Sequence, residues 1–142
     1  VTKNMAFYNK IGLLVLNNDE TRFLVCEKNP QNVTSDYIMP GGKFEEESEI
    51  ETLKAEIKEE LNCEIDIKSL EYIAEYIDVA AGRSDRDVSI KLYRGKIIGI
   101  PTPSTEVKEI HWISKEDQIS PKISPIIRNK IIPDLVKKKI LK

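Results

Sequence analysis

Residues 40–63 read PGGKFEEESEIETLKAEIKEELNC, and the order of elements in the whole chain hangs on them. Pro40, Gly41, Gly42 and Lys43 predict a tight turn whose glycines let backbone approach a metal or a phosphate closely. Ser48, followed three residues later by Glu51, makes a capping-box pattern, and Ile50, Leu53, Ile57 and Leu61 then recur at helical spacing. A helix is therefore predicted from Glu49 to Leu61. Asn62 stands where the helix needs a left-handed residue to stop, a conformation that Asn tolerates.

At about 100° per residue the apolar residues form one stripe, with Glu49, Glu56 and Glu60 clustered beside it and Glu59 a little farther round. The positions three and four residues from Glu56 hold Thr52, Leu53, Glu59 and Glu60, so no cation offsets these acids from within the helix. Each like-charge pair costs ~0.2–0.5 kcal/mol on an isolated helix, and more when partly buried. On that ground Glu60→Gln is expected to leave the fold intact, or slightly more stable without metal. Mg²⁺ removes the repulsion: it takes oxygen ligands, keeps several waters and is commonly shared between one or two carboxylates and substrate phosphates. The acids alone fit an exposed acidic face equally well; the glycine turn ahead of them favours a metal site.

Ahead of the turn, residues 11–16 and the run Phe23, Leu24, Val25, Cys26 flank polar Asn17, Asn18, Asp19 and Glu20 and predict an opening β-hairpin. A polar loop over 27–36 leads to a short strand of Tyr37, Ile38 and Met39. Behind the helix, residues 70–79 and 88–98 predict a second hairpin whose long tip is the polar run 82–87. Pro101 and Pro103 precede a strand at 110–113 with Ile110 and Trp112 on one face and His111 on the other, where a packed or surface imidazole is expected. Ser124 and Pro125 suit an N-cap and a first helical position, and Pro133 limits or kinks the last helix. The expected architecture is α/β, one domain over residues 1–142, with a mixed β-sheet covered by helices on two faces.

A formal net charge of -2 over 142 residues gives no general attraction to nucleic acid or an anionic membrane, so an anionic substrate must be met locally. The longest apolar run, 11–16, is far too short to span a bilayer, and the N-terminus shows no charged-then-apolar secretory pattern. A cytoplasmic protein is the expectation. Cys26 and Cys63 are expected to be buried thiols, since two distant cysteines make neither a disulfide framework nor a cysteine-rich metal site.

Taken as a unit, Gly41, five residues, Glu47, seven residues and then Ala55, Glu56, Ile57, Lys58, Glu59, Glu60, Leu61, Asn62, Cys63 resembles the Nudix box of MutT-like hydrolases. The resemblance implies a Nudix-type α/β/α sandwich and hydrolysis of a nucleoside diphosphate linked to another moiety. An unmodified or oxidised nucleoside triphosphate is favoured as substrate; ADP-ribose or a sugar nucleotide is the alternative, as is a non-catalytic nucleotide-binding module. By position Glu56, Glu59 and Glu60 match the family's metal-binding acids and Gly41 its carbonyl donor, for Mg²⁺ with Mn²⁺ as a substitute. Gly42 and Glu47 belong to the structural part of the box.

The catalytic base is implied to be Glu56, or Glu106 in the loop before the Trp112 strand, where many relatives supply an extra acid. Lys28, Lys43 and Arg83 are candidates for phosphate contacts against an ordinary surface role, and Tyr37 and Met39 for a base pocket against strand packing. The implied partner is a small nucleotide, with no nucleic acid and no membrane; a homodimer is common among relatives. Ala55 departs from the box, where the family has an Arg that restrains its first glutamate, and Asn62 departs where Gly is usual. Counted from Gly42, the loop before Glu47 is one residue short.

Overall fold

The structure, a computed structural model, describes residues 6–28, 36–44 and 48–142, apart from the side chains of residues 83 and 84. In chain order the elements are β1 (Tyr8–Leu14), β2 (Arg22–Lys28), β3 (Tyr37–Ile38), β4 (Gly41–Lys43), α1 (Glu49–Leu61), β5 (Glu64–Ile65), β6 (Glu71–Ala80), β7 (Arg83–Arg94), β8 (Ile97–Ile98), β9 (Val107–Ser114) and α2 (Ile132–Lys137). One sheet has the order β4-β1-β7-β6, a second β3-β2-β9, and β5 pairs with β8. Among the described strand pairs β1 and β7 run parallel and the others antiparallel, so the first sheet is mixed.

Helix α1 matches its prediction because its signals are local. The Ser48 side chain accepts a hydrogen bond from the Glu51 N–H, and Asn62 closes the helix at φ 56, ψ 32. Leu53, Ile57 and Leu61 are fully buried against Ile11 and Leu13 of β1 and Leu24 and Cys26 of β2. Each such side chain contributes roughly 1.5–3 kcal/mol, so this face anchors the helix. A second cluster, on the other side of the sheets, packs Phe23, Val25, Ile90 and Leu92 against Ile127, Ile131, Ile132 and Leu135. The two clusters make the expected α/β/α sandwich. Both cysteines are buried thiols, also as expected.

Several sequence expectations are corrected. β1 and β2 do not form a hairpin ladder: they meet at the Leu16–Phe23 bridge and then enter different sheets. Both edges of β1 are taken, one by β4 and one by β7, leaving none for β2. Gly41, Gly42 and Lys43 are not a free turn but the short strand β4, paired with β1 at Gly12, Ile11 and Lys10. The tip of the second hairpin is short, because β7 already begins at Arg83. Its polar residues are held by partners: Asp87 accepts the Phe7 N–H at 2.7 Å, and Arg86 donates to the Tyr8 hydroxyl at 2.9 Å and lies over the Phe7 ring. The predicted strand over 88–98 breaks at Gly95, and Ile97–Ile98 pairs with β5 instead.

At the C-terminus a helical segment opens at Pro125, widens into a π-helical turn over Ile127–Ile131 and continues as α2. Pro133 has no N–H to give the Asn129 carbonyl, which accounts for the wide turn before it. Ser124 is not a side-chain cap. Its N–H is drawn to the Tyr37 carbonyl at 3.0 Å, and its hydroxyl is buried without a hydrogen-bond partner among the described residues.

Candidate metal centre

Glu60 is the most buried acid in the predicted cluster, 2% exposed. Its Oε1 accepts the Gly41 N–H at 2.8 Å, and its Oε2 accepts the Lys28 ammonium. Gly41 reaches this position with φ +142, and a Cβ there would stand 2.0 Å from the Ile11 carbonyl oxygen, so only glycine fits. No cation neutralises the acids from within α1, as the spacing requires, but the fold supplies Lys28 from β2.

One turn earlier, the half-buried Glu56 lays its carboxylate on the Cα of Gly42. A Cβ at Gly42 would lie 2.2 Å from Glu56 Cδ and 2.5 and 2.6 Å from its oxygens. The clash is with the end of a flexible side chain, so Gly42→Ala is expected to keep the fold within about 1 kcal/mol. The same change displaces Glu56, and activity is expected to fall by roughly tenfold to a hundredfold. Thermal unfolding and kcat/KM on one preparation check both; a fall in stability with unchanged specific activity would refute the placement.

Burial, then Glu60, then Glu59 push the Glu56 carboxyl up to about 7. Burial also raises Glu60, against the pull of Lys28, the Gly41 N–H and Lys10. Lys28 stays protonated above the usual lysine range: burial opposes its charge, and Glu60 outweighs burial. Lys10 of β1, paired with Lys43 in register, also lies within electrostatic reach of Lys28, Glu60 and Glu56, and its pKa is lowered by burial and by Lys28. Sequence reasoning missed Lys10, because only the β1–β4 pairing brings it to the acids.

Glu59 is exposed, and Glu106, also exposed, is within electrostatic reach of Glu56 and Lys28. Glu49 is drawn out of the cluster in which its spacing placed it, accepting Tyr93 Oη at 2.6 Å and Lys91 Nζ at 3.0 Å. Ala55 is exposed. Glu47 and the Arg83 side chain lie outside the described residues.

The Glu106 loop is tied to the end of α1. The Thr102 N–H donates to the Leu61 carbonyl at 2.9 Å and the Ser104 N–H to the Glu60 carbonyl at 3.2 Å. The Asn62 side-chain amide donates to both oxygens of Thr102 at 3.1 Å. Asn62 is thus helix stop and loop tether together. Asn62→Gly keeps the left-handed stop and loses the tether, so activity is expected to fall about threefold to tenfold with stability within about 1 kcal/mol. Proteolysis between 99 and 106 should quicken in step; unchanged activity and cleavage would show that the tether does nothing.

Met39 is buried in the second core cluster, in strand packing, and Lys43 is exposed. Tyr37 stacks on His111 with ring centroids 4.3 Å apart. His111 Nε2 sits 3.0 Å from Glu27 and 3.5 Å from Glu109, and Lys108 completes that ion-pair group at 3.7 Å from Glu27. Among the described residues, Glu27, Glu109 and His111 are the group with three ligand atoms within 4.8 Å of one another. Glu56, Glu59 and Glu60 are spread more widely than that.

A family model described as the NUDIX domain matches residues 9–135. No curated protein matches the chain. Among solved structures it is similar to the MutT protein from Methanosarcina mazei, at 17% identity and TM-score 0.73, covering 97% of this chain and 99% of that one. It is similar to the ORF135 protein of E. coli at 18% identity and TM-score 0.71, covering 95% and 92%. A putative nudix hydrolase family member from Chromobacterium violaceum gives 21% identity and TM-score 0.67, covering 96% and 80%. These likenesses show a shared fold. The family match spans most of the chain, including the glycine strand, α1 and the Glu106 loop, and the chain therefore belongs to the Nudix hydrolase family.

Proposed function

We propose that this chain is a Mg²⁺-dependent pyrophosphohydrolase whose substrate is a nucleoside triphosphate. The observation that carries the reading is the packing of the Glu56 carboxylate on Gly42 beside buried Glu60, which sets two acids at a backbone that has no side chain to obstruct it. The donor set suits the ion. All the donors are oxygens, Glu56 is raised toward protonation by burial and then by its acidic neighbours, and the acids are too spread to form a closed cage. Mg²⁺ is commonly held in that way, by one or two carboxylates with waters and substrate phosphate completing its shell.

Glu56, Glu60 and the Gly41 carbonyl would hold the ion, with Glu59 at the rim; Mn²⁺ would serve in its place. Bound there, the metal supplies charge neutralisation at the phosphate oxygens. Lys10 and Lys28 add positive charge beside the same acids. The Glu106 carboxylate takes a proton from the attacking water as the water oxygen bonds to phosphorus. The bond from that phosphorus to the bridging oxygen breaks, and the leaving phosphate group carries the electron pair away.

The resemblance to MutT-like hydrolases favours a triphosphate over ADP-ribose, and MutT proteins stand among the chain's structural neighbours. A panel of nucleoside triphosphates, ADP-ribose and dinucleotide polyphosphates, assayed with Mg²⁺, with Mn²⁺ and with chelator, tests this. Metal-dependent pyrophosphate release from a triphosphate is expected. Turnover of ADP-ribose alone would replace the substrate, and nucleotide binding without turnover would make the chain a binding module.

A further inference from the structure

The Lys28 side chain is 16% exposed and that of its partner Glu60 3% exposed, so this ion pair is nearly excluded from water. Two features set it apart from a structural salt bridge. The cation pairs with a carboxylate at the candidate metal centre, and it is carried by β2 where the β2–β9 register slips, between Glu27 and Lys28. Such irregularities re-aim the side chain at the slip. Beside it stands Lys10, partly buried, its ammonium without a hydrogen-bond or ion-pair partner among the described residues.

We propose that Lys28 is a resident counter-cation for Glu60 that a divalent metal displaces, leaving Lys28 and Lys10 as a pair of ammonium groups for the substrate's phosphate. This rests on the reading that Glu60 is a metal ligand. A doubly charged ion on Glu60 Oε2 and an ammonium on the same oxygen repel strongly in so buried a place. Glu60 itself does not move, because the Gly41 N–H holds Oε1. The Lys28 stem has the rotatable bonds to leave. Once it leaves, two ammonium groups face one another, and an anion between them relieves the repulsion. Metal binding and phosphate binding therefore assist each other, and by linkage each raises the affinity for the other by the same factor.

The test uses the full chain and Mn²⁺ alone, without nucleotide. Lys28 is expected to react slowly with an amine-acylating reagent in chelator and at least about threefold faster with saturating Mn²⁺, as the lost ion pair frees the amine. Exposed Lys115 serves as the unchanged reference. Lys28→Met is expected to bind Mn²⁺ about tenfold more tightly by electron paramagnetic resonance, because a competing cation has gone. Unchanged Lys28 reactivity with Mn²⁺ bound would overturn the proposal, even with tighter binding in Lys28→Met, since removal of a nearby charge alone gives the latter. The separate failure of the metal assignment would show as equal Mn²⁺ affinity in the wild type and Glu60→Gln.

Discussion

Glu60→Gln is expected to lower kcat/KM by at least about 10³-fold and to reduce stability by about 3 kcal/mol. The spacing of acids on α1 suggests the opposite sign for stability, because it shows only the like charges. In the folded protein Glu60 is buried, with one oxygen on the Gly41 N–H and the other on the Lys28 ammonium. A glutamine preserves the acceptor for Gly41 but turns an amide toward Lys28, whose charge is then buried and unpaired. Removing one member of a buried pair costs more than the pair contributes, because the other must be left desolvated. Urea unfolding in chelator measures the stability, and steady-state kinetics with saturating Mg²⁺ measures the chemistry. Loss of activity with unaltered stability would mean that Lys28 is not Glu60's resident partner. Full activity would remove Glu60 from the metal centre.

That reversal marks the boundary of what the chain discloses before it folds. Helix α1 is legible to the residue because Ser48, Glu51, the apolar stripe and Asn62 act within a few positions of one another. The acids and glycines of the candidate centre share the same short stretch, and their family resemblance agrees with the match over residues 9–135. Strand partners are not legible in this way. Residues 11–16 and 22–28 look like a hairpin, and nothing local reveals that β4 and β7 have already claimed both edges of β1. The pairing of Lys28, a phosphate candidate in the sequence, with Glu60 is not legible for the same reason, nor is Lys10, since each is brought to α1 by strand pairing over long sequence separation. Glu49 left the cluster because Tyr93 and Lys91 of β7 reach it, residues more than forty positions away.

Glu56→Gln is expected to reduce turnover by about 10³-fold while leaving the fold intact. Among the described residues Glu56 has neither a lysine partner in hydrogen-bond contact nor a capping role, and it is less buried than Glu60, so the neutral amide is tolerated where it packs on Gly42. Its role shows in a second measurement. A carboxyl raised from 4.5 to about 7 keeps its proton in the folded chain and loses it in the unfolded one over that interval. The folded state then binds more protons, so without metal the stability that Glu56 lends is complete below pH 4.5 and is lost as pH rises through about 7. Glu56→Gln should flatten this decline in the chelator-treated protein, whereas Mg²⁺ should oppose it in the wild type by taking the ionised form. Thermal unfolding between pH 5 and 8, with chelator and with Mg²⁺, reads both. Identical pH profiles for wild type and variant, together with normal turnover, would place Glu56 outside the centre and leave Glu60 as its only buried acid on α1.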